Sequence, residues 1–312
     1  MFLSSPSLLV ARREVRLVWR RRGTWGVMAL LITVAWSPAL LVPLRRGSLG
    51  VASFEEIGLL TLTLAAILLP LLGLLAGADL MAGEIEDATL VPLVTLPISR
   101  TSCFAGKVLG RGTLLLTAYL TSYGSVAAAV TLLQGTNGWS DYTAAVTGGL
   151  LLLFACGAVG TALGCSRRGR IGVFGSALLA WVVLVFALDA LLLTALIALA
   201  PPPPTEIGVR GHSELTLHHQ TKLSDSTERA ERTEGTESQN RLLPWIAAVN
   251  PVQLFRLTAL GFSPDLKADL WAAPLSGGSD YATWSSLAAG WLCWLFIPAF
   301  IGLRRFRRIR LF

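Results

Sequence analysis

Charged side chains are scarce in this sequence, at 14% of 312 residues, whereas 53% of the residues are hydrophobic. Soluble domains carry roughly 25% charged residues, so the composition excludes an ordinary soluble fold and indicates an integral membrane protein. Histidine is scarce as well, with His212, His218 and His219 confined to one polar stretch. Neither cysteines nor a suitable carboxylate spacing accompanies them, so we interpret this stretch as a plain loop and not as a metal site.

Catalytic motifs are absent from the sequence. It has no glycine-rich phosphate loop before Lys107 and no H-E-x-x-H, C-x-x-C or G-x-S-x-G motif. We therefore expect neither enzyme activity nor a bound cofactor in this chain. Asp189 is the one acid inside a predicted membrane span, where an acid is costly to bury. Either it has a functional role or it forms a hydrogen bond between packed helices, and without a second acid an intramembrane aspartyl protease is not expected.

Six apolar segments are long enough to cross the roughly 30 Å hydrocarbon core of a bilayer as helices. They are residues 24–42, 57–78, 112–133, 143–164, 171–200 and 282–303. Two pairs of glycines spaced four apart, Gly73 with Gly77 and Gly160 with Gly164, favour close helix packing within one chain or between two. The sequence thus predicts an all-α membrane protein with a single transmembrane domain over residues 1–312.

Basic residues lie mainly beside the same ends of these segments, which sets the predicted orientation. On the side of both termini they are Arg12, Arg13, Arg16, Arg20, Arg21, Arg22, Arg100, Lys107, Arg111, Arg167, Arg168, Arg170, Arg304, Arg305, Arg307, Arg308 and Arg310. The opposite side has only Arg45 and Arg46 in short loops. We therefore predict that both termini are cytoplasmic and that the protein lies in the cytoplasmic (inner) membrane. Membrane-flanking arginines explain the net charge of +7, so we expect no nucleic acid partner.

The segments outside the first five spans, which occupy residues 24–200, differ in composition. Residues 1–23 alternate arginines with apolar residues at helical spacing, which favours an amphipathic helix on the inner membrane face, with a plain basic anchor as the alternative. Residues 201–241 begin with four prolines and are too polar to fold alone, so we predict a disordered external insert. Residues 242–281 are predicted to form short or re-entrant external helices, and residues 304–312 a basic cytoplasmic tail.

The predicted cytoplasmic loop over residues 83–107 concentrates acids, aliphatic residues and prolines between two spans. Acids in the first turn of a short helix are favoured by the helix dipole, and a proline ends such a helix. The motif consists of Gly83, Glu84, Glu86, Thr89, Leu90, Leu93, Leu96, Pro97, Ser99 and Arg100, followed by Gly106 and Lys107. This pattern resembles the ABC-2 class of transporter permeases, and the resemblance extends over nearly the whole chain.

The resemblance implies a role for each part of the chain. The loop between spans 2 and 3 would carry a cytoplasmic coupling helix that docks on a separate ATPase subunit, and that subunit would bind ATP and Mg. Two copies of the chain would pair as a homodimer in the lipid bilayer. Asp189 in its span and the external motif of Asn250, Pro251 and Arg256 resemble permeases that serve nitrous oxide reductase maturation. That likeness implies a cargo needed for copper-site assembly outside the membrane and a periplasmic accessory protein as a partner.

Three positions depart from the family pattern. Ala88, Pro92 and Gln253 stand where the family has a glycine, an aliphatic residue and an acid, respectively. Two other functions fit the sequence. A generic ABC-2 exporter of lipid, drug or polysaccharide has the same strong features. A non-transporting membrane scaffold explains the spans and the glycines, but it leaves the acid-rich loop that ends in proline without a role.

Overall fold

A computed structural model describes residues 5–20, 22–47, 50–86, 98–166, 169–191, 194, 248–261 and 280–308 of the chain. Within these ranges the backbone forms helices and turns, without a strand. The helices are α1 (Ser5–Trp19), α2 (Arg22–Arg45), α3 (Phe54–Glu86), α4 (Arg100–Gln134), α5 (Trp139–Gly164), α6 (Arg170–Val182), α7 (Pro251–Gly261) and α8 (Asp280–Arg307). Helix α6 continues through a π-helical turn at Val183–Ala187 and one further helical turn.

Six of the described helices, α2 to α6 and α8, are long and apolar enough to cross a membrane. Each overlaps one of the six apolar segments predicted from the sequence. The prediction of an all-helical, multi-pass membrane protein is therefore confirmed. The predicted insert at 201–241, most of the external segment at 242–281 and the end of the fifth predicted span lie outside the described residues.

Helix α3 extends beyond the apolar segment that predicted it. The helix continues to Glu86, so Asp79 lies on the same helix as the second predicted span, one residue past its apolar segment. Glu84 and Glu86 end this long helix instead of beginning a short one. Residues 79–86 are mostly good helix formers and no proline occurs between Pro70 and Pro92, which explains the extension.

The spans alternate in direction, which gives the bundle two ends. At one end, the last turns of α3 meet the starts of α4 and α6, and the start of α4 meets the end of α8. We call this the connector end, after the connector formed by residues 87–97 between α3 and α4. At the far end, the start of α3 meets the end of α4 and the start of α5.

Helices α3 and α5 form the most extensive helix pair of the described bundle. A Cβ atom at Gly73 would lie 2.5 Å from the carbonyl oxygen of Leu153, and one at Gly77 would overlap the carbonyl oxygen of Gly157. Gly160 lies equally close to the backbone of α3. Both predicted glycine pairs therefore allow backbone contact within one chain, because a side chain at these positions has no room.

Buried tyrosines in the interior of the bundle have hydrogen-bond partners on neighbouring helices. Tyr119 of α4 donates to the carbonyl oxygen of Val146 at 2.9 Å, and Tyr142 of α5 donates to that of Tyr123 at 2.8 Å. A buried hydroxyl without a partner is unfavourable in an apolar interior. These bonds therefore fix the register of α4 against α5.

Candidate functional sites at the two ends of the bundle

The predicted coupling motif is divided between two described helices and the connector. Gly83, Glu84 and Glu86 belong to the last turns of α3, and Arg100 is the first residue of α4. The predicted coupling residues between them, Thr89, Leu90, Leu93 and Pro97, lie outside the described residues, as does Pro92.

Helix α4 begins with a side-chain cap directly after the connector. The hydroxyl of Ser99 accepts a hydrogen bond from the backbone N–H of Ser102 at 3.1 Å. Such a cap satisfies one of the free N–H groups at a helix start. The guanidinium of Arg100 donates to the carbonyl oxygen of Arg307 at 2.7 Å, at the last turn of α8. A cation is favourable at that position because the helix dipole is negative there, so the start of α4 is held against α8.

Three charged side chains join three helices at the connector end. Asp79 of α3 accepts from Arg111 of α4 at 3.1 Å and from Arg170 of α6 at 3.0 Å. We call these residues the Asp79 cluster. Gly83, one turn further along α3, lies beside it, since a Cβ there would be 3.7 Å from Asp79 Oδ1. The cluster thus ties the end of the span that leads into the connector to the starts of two other spans.

A second ion pair at this end is almost completely buried. Lys107 of α4, with 1% of its side chain exposed, lies with its Nζ atom 3.5 Å from a carboxylate oxygen of Glu14 in α1. A Cβ at Gly106 would lie 2.6 Å from the carbonyl oxygen of Ser7, so the two helices touch through their backbones. Because an unpaired buried charge is strongly destabilising, this pair fixes α1 against the start of α4.

A small apolar cluster surrounds these contacts and includes Phe104 and Phe306, whose ring centroids are 5.6 Å apart. Arg305 donates to the carbonyl oxygen of Ala162 at 2.9 Å, which ties α8 to α5. Burial raises the pKa of the Cys165 thiol to about 12, against a lowering effect of Arg305. This thiol therefore stays protonated at neutral pH and is a packing group.

The second site lies at the far end and contains the acid and the external motif that the sequence singled out separately. Asp189 accepts hydrogen bonds from Asn250 at 2.8 Å and from Gln253 at 3.0 Å through one oxygen, and from Arg256 at 2.8 Å through the other. We call these four residues the Asp189 cluster. The donors are spaced three apart, so they share one face of α7 and its start. Asp189 is thus paired with a cation and bonded to two amides.

Asn250 has two roles in this cluster. Its side-chain oxygen accepts from the backbone N–H of Val252 at 2.9 Å and caps α7, while its amide nitrogen donates to Asp189. Pro251 is the first residue of α7, where a proline leaves no helical hydrogen bond unmade. The Asn-Pro pair of the predicted external motif is therefore the start of a helix whose cap also contacts span 5.

Helix α7 is buried but too short to cross a bilayer. Its 11 residues extend about 16 Å, roughly half of a hydrocarbon core. Phe255 packs against Gly148 of α5, and Trp291 of α8 donates to Thr258 at 3.0 Å. The described part of residues 242–281 thus includes a short helix that packs between α5 and α8.

The π-helical turn at Val183–Ala187 directly precedes Asp189. Such a turn accommodates one extra residue, so Asp189 lies about 100° around the helix axis from the direction that an uninterrupted α-helix would give it. That rotation contributes to directing its carboxylate towards α7. Turns of this kind are frequent at functional sites.

The model of the family described as ABC-2 family transporter protein matches residues 8–311, almost the entire chain. The chain belongs to the ABC-2 transporter family. The resemblance found in the sequence is confirmed, and the ABC-2 chain is a permease subunit of a multi-pass membrane transporter.

Two relatives of this ABC-2 permease are named as probable ABC transporter permease protein NosY. The relative from Stutzerimonas stutzeri is 27% identical over 312 residues, covering 96% of this chain and 97% of its own. The relative from Pseudomonas aeruginosa is 29% identical over 292 residues, covering 89% and 91%. The ABC-2 chain is therefore similar to these NosY permeases along nearly its full length.

Sequence reasoning missed the partners that connect these helices. Asp79 lies one residue past the predicted second span, and Arg111 one residue before the predicted third. Glu14 is the one acid among the arginines of α1, which was a usable signal for a buried partner. Asp189 and Arg256 were both identified, but their contact joins residues 67 apart and follows only from the packing of α7.

Proposed function

We propose that this ABC-2 permease subunit couples ATP hydrolysis in a separate ATPase subunit to movement of its spans. The observation that carries the proposal is the α3–α5 pair, whose backbones are in contact along both glycine pairs. Helix α3 leads into the connector, and α5 packs against α7 and hence the Asp189 cluster. A displacement at the connector reaches the far end through packed helices, without a flexible element between.

The connector is the proposed docking segment. Leu90, Leu93 and Val94 offer aliphatic side chains to a groove of the ATPase subunit, as amphipathic helices do in other helix-in-groove complexes. ATP and Mg are bound by that partner, and this chain contributes no catalytic residue. The described ends of α3 and α4 on either side of the connector are held by ion pairs and a cap, which favours transmission of force into the spans.

The Asp79 cluster is the proposed contact through which movement of α3 is transmitted to α4 and α6. Two arginines on α4 and α6 share one carboxylate on α3, and charge-assisted hydrogen bonds of this type are the stronger ones in proteins. The inner ends of three spans therefore move together. This arrangement suits a rigid-body change better than independent helix motions.

The Asp189 cluster is the proposed responding element. It joins α6 to α7, and its ion pair is only partly buried, with 21% of Asp189 and 38% of Arg256 exposed. A partly exposed pair exchanges with water at less cost than a buried one. Opening and closing of α7 against span 5 is therefore the proposed movement at the outer side.

A homodimer with both termini in the cytoplasm is the proposed assembly, in the cytoplasmic membrane. Helix α6 has the smallest buried share of the six described spans and exposes Leu179, Val182 and Phe186. Lipid covers such a face adequately, and a second copy with complementary packing covers part of it in the proposed dimer. Two ATPase subunits would then dock on the two connectors.

The proposed cargo is a component for maturation of an extracytoplasmic copper enzyme such as nitrous oxide reductase. Support comes from the sequence resemblance to permeases of that process and from similarity to two NosY permeases along nearly the whole chain. Among the described residues no group of histidine, cysteine or carboxylate side chains has the arrangement of a metal site. A sulfur-containing species, delivered with a periplasmic accessory protein, is therefore a better candidate than a copper ion.

A generic ABC-2 exporter of lipid, drug or polysaccharide is the second candidate. The family match favours it equally, because that match does not depend on the cargo. The identity of the neighbouring genes distinguishes the two candidate functions. A periplasmic copper-protein assembly factor encoded beside this chain supports the first, and its absence supports the second.

The coupling proposal is tested by copurification of the partner ATPase with full-length variants. We expect Leu90→Asp to abolish ATPase binding and ATP-dependent transport, because a carboxylate cannot enter an apolar groove without a partner. Leu217→Asp, the same change in the predicted external insert, is the matched control and should retain both. Stoichiometric ATPase binding and unchanged transport by the Leu90 variant would show that the connector is not the coupling segment.

A further inference from the structure

Helix α1 has one face that is fixed to the protein. Ser7, Val10, Glu14 and Val18 are buried against α4, and their spacing of three and four residues marks a single helical face. A Cβ at Gly110 would lie 2.7 Å from Cβ of Glu14, so α1 has little freedom to lift away. The orientation of every other side chain of α1 follows from this contact.

The opposite side of α1 is exposed and has two parts. Leu8 and Trp19 are eleven residues apart, about three helical turns, so they form an exposed apolar edge. Arg12, Arg16 and Arg20 repeat every four residues and form an adjacent basic stripe, which Arg13 widens. An apolar edge beside a row of arginines is the pattern of a helix that lies in a membrane interface.

The position of α1 along the bundle agrees with that level. The hydroxyl of Thr24, at the start of the first span, donates to the carbonyl oxygen of Val18 at 2.5 Å. The rings of Trp19 and Trp25 pack edge to face with centroids 5.7 Å apart. Tryptophan is enriched where hydrocarbon meets headgroups, so this pair marks the interface and places the arginine stripe at headgroup depth.

The charge on this stripe is not neutralised by the described part of the protein. Glu14 is the one acid in α1, and it is buried against Lys107. Among the ion pairs between described residues, none involves Arg12, Arg13, Arg16 or Arg20. Anionic headgroups are the chemistry that complements such a face, since each basic residue near an anionic leaflet contributes favourably to binding.

We propose that the arginine stripe and apolar edge of α1 form a binding surface for anionic phospholipids. Bound lipid anchors α1 and, through the Lys107–Glu14 pair, the start of α4 directly after the connector. The connector then moves relative to a start of α4 that is held in place by bound lipid. Lipid binding stands on the structure alone, whereas this effect on coupling rests on the proposed function.

Lipid binding is tested on the full-length permease alone, in detergent, by native mass spectrometry with phosphatidylglycerol and phosphatidylcholine. The test variant is Arg12→Gln with Arg16→Gln. The control is Arg304→Gln with Arg308→Gln, which removes two exposed arginines of the same spacing from the end of α8. We expect the test variant to bind phosphatidylglycerol about tenfold more weakly and the control to change little. Equal losses in both variants, or no preference of the wild type for phosphatidylglycerol, would overturn the proposal.

The effect on coupling is tested separately in nanodiscs that contain the permease and its ATPase. Transport per ATP hydrolysed should fall when phosphatidylglycerol is replaced by phosphatidylcholine, and the Arg12 and Arg16 variant should show the low ratio in both lipids. A ratio that is the same in both lipids would overturn the anchoring role. Failure of any ATPase to associate would contradict the proposed function while the binding measurement on the permease alone stands.

Discussion

At the scale of single residues, Gln253 explains a departure from the family pattern. Its amide donates to Asp189, which an ionised acid at this position could not do. An acid there would also place a second negative charge beside Asp189, with Arg256 as the one cation of the described cluster. Glutamine is therefore the residue type that suits a carboxylate already paired with a single arginine.

The strength of the Asp189–Arg256 ion pair can be measured by a double-mutant cycle with Asp189→Ala, Arg256→Ala and the double variant. We expect a coupling energy of about 1–2 kcal/mol, because the pair is partly shielded from water by α7. Chemical unfolding in detergent measures it. The control cycle uses Arg46 and Glu56, an ion pair at the same end whose arginine is 62% exposed, where about 0–1 kcal/mol is expected. Equal coupling in the two cycles would contradict a stabilising role for the Asp189 cluster.

At the scale of elements, the contact between α3 and α5 depends on glycines because nothing else fits between the two backbones. Backbone contact brings the two helices closer together than side-chain packing permits, which gives many van der Waals contacts. These contacts matter in a membrane because the hydrophobic effect does not drive helices together in lipid. Close-packed interiors transmit displacement because they have little free volume. The pair is therefore suited to carry movement between the ends of the bundle.

This contact predicts different outcomes for the same substitution at two positions of α3. Gly77→Ala places a methyl group against the carbonyl of Gly157 and should destabilise the protein by about 1–3 kcal/mol. Gly58→Ala meets no atom within 4 Å and should be neutral or slightly stabilising, since alanine favours a helix. Thermal unfolding of both variants in the same detergent measures the difference. Equal stability of the two variants would show that α3 and α5 are not in backbone contact.

The spans were predictable because hydrocarbon thickness demands a long apolar run, and each predicted segment overlaps a described helix. Their ends were not predictable in the same way. Helix α3 extends beyond its apolar segment because the charge of Asp79 is compensated by Arg111 and Arg170, which lie on two other helices. Hydropathy records the charge of a residue but not its partner, so polar residues near a span end are assigned to loops.

The residues of the candidate sites were also predictable from the sequence, whereas the contacts between them were not. The cost of burying Asp189 was visible in the sequence, and so was the Asn-Pro motif with Arg256 after it. Their contact was not, because it depends on the insertion of α7 between α5 and α8 and on the π-helical turn before Asp189. The function of the Glu84 to Pro97 stretch stays a prediction, since most of it lies outside the described residues.

At the scale of the whole molecule, the two ends of the bundle carry different chemistry. The connector end holds the Asp79 cluster, the Lys107–Glu14 pair and the exposed arginines of α1 and α8. The far end holds the Asp189 cluster and the short helix α7. A charge excess at one end favours its retention in the cytoplasm, and in the proposed orientation the connector lies where ATP is available.

That orientation is testable with alkaline phosphatase, which is active only outside the cytoplasm, fused after successive loops. We expect activity for fusions after Gly47 and Gly135 at the far end and none after Gly169 or Phe312, because the spans alternate. Green fluorescent protein at the same four positions is the control and should give the opposite pattern. A reversed pattern in both reporters would place the connector outside the cell membrane, away from ATP. Coupling through residues 87–97 would then be impossible, whatever the Asp79 cluster contributes to stability.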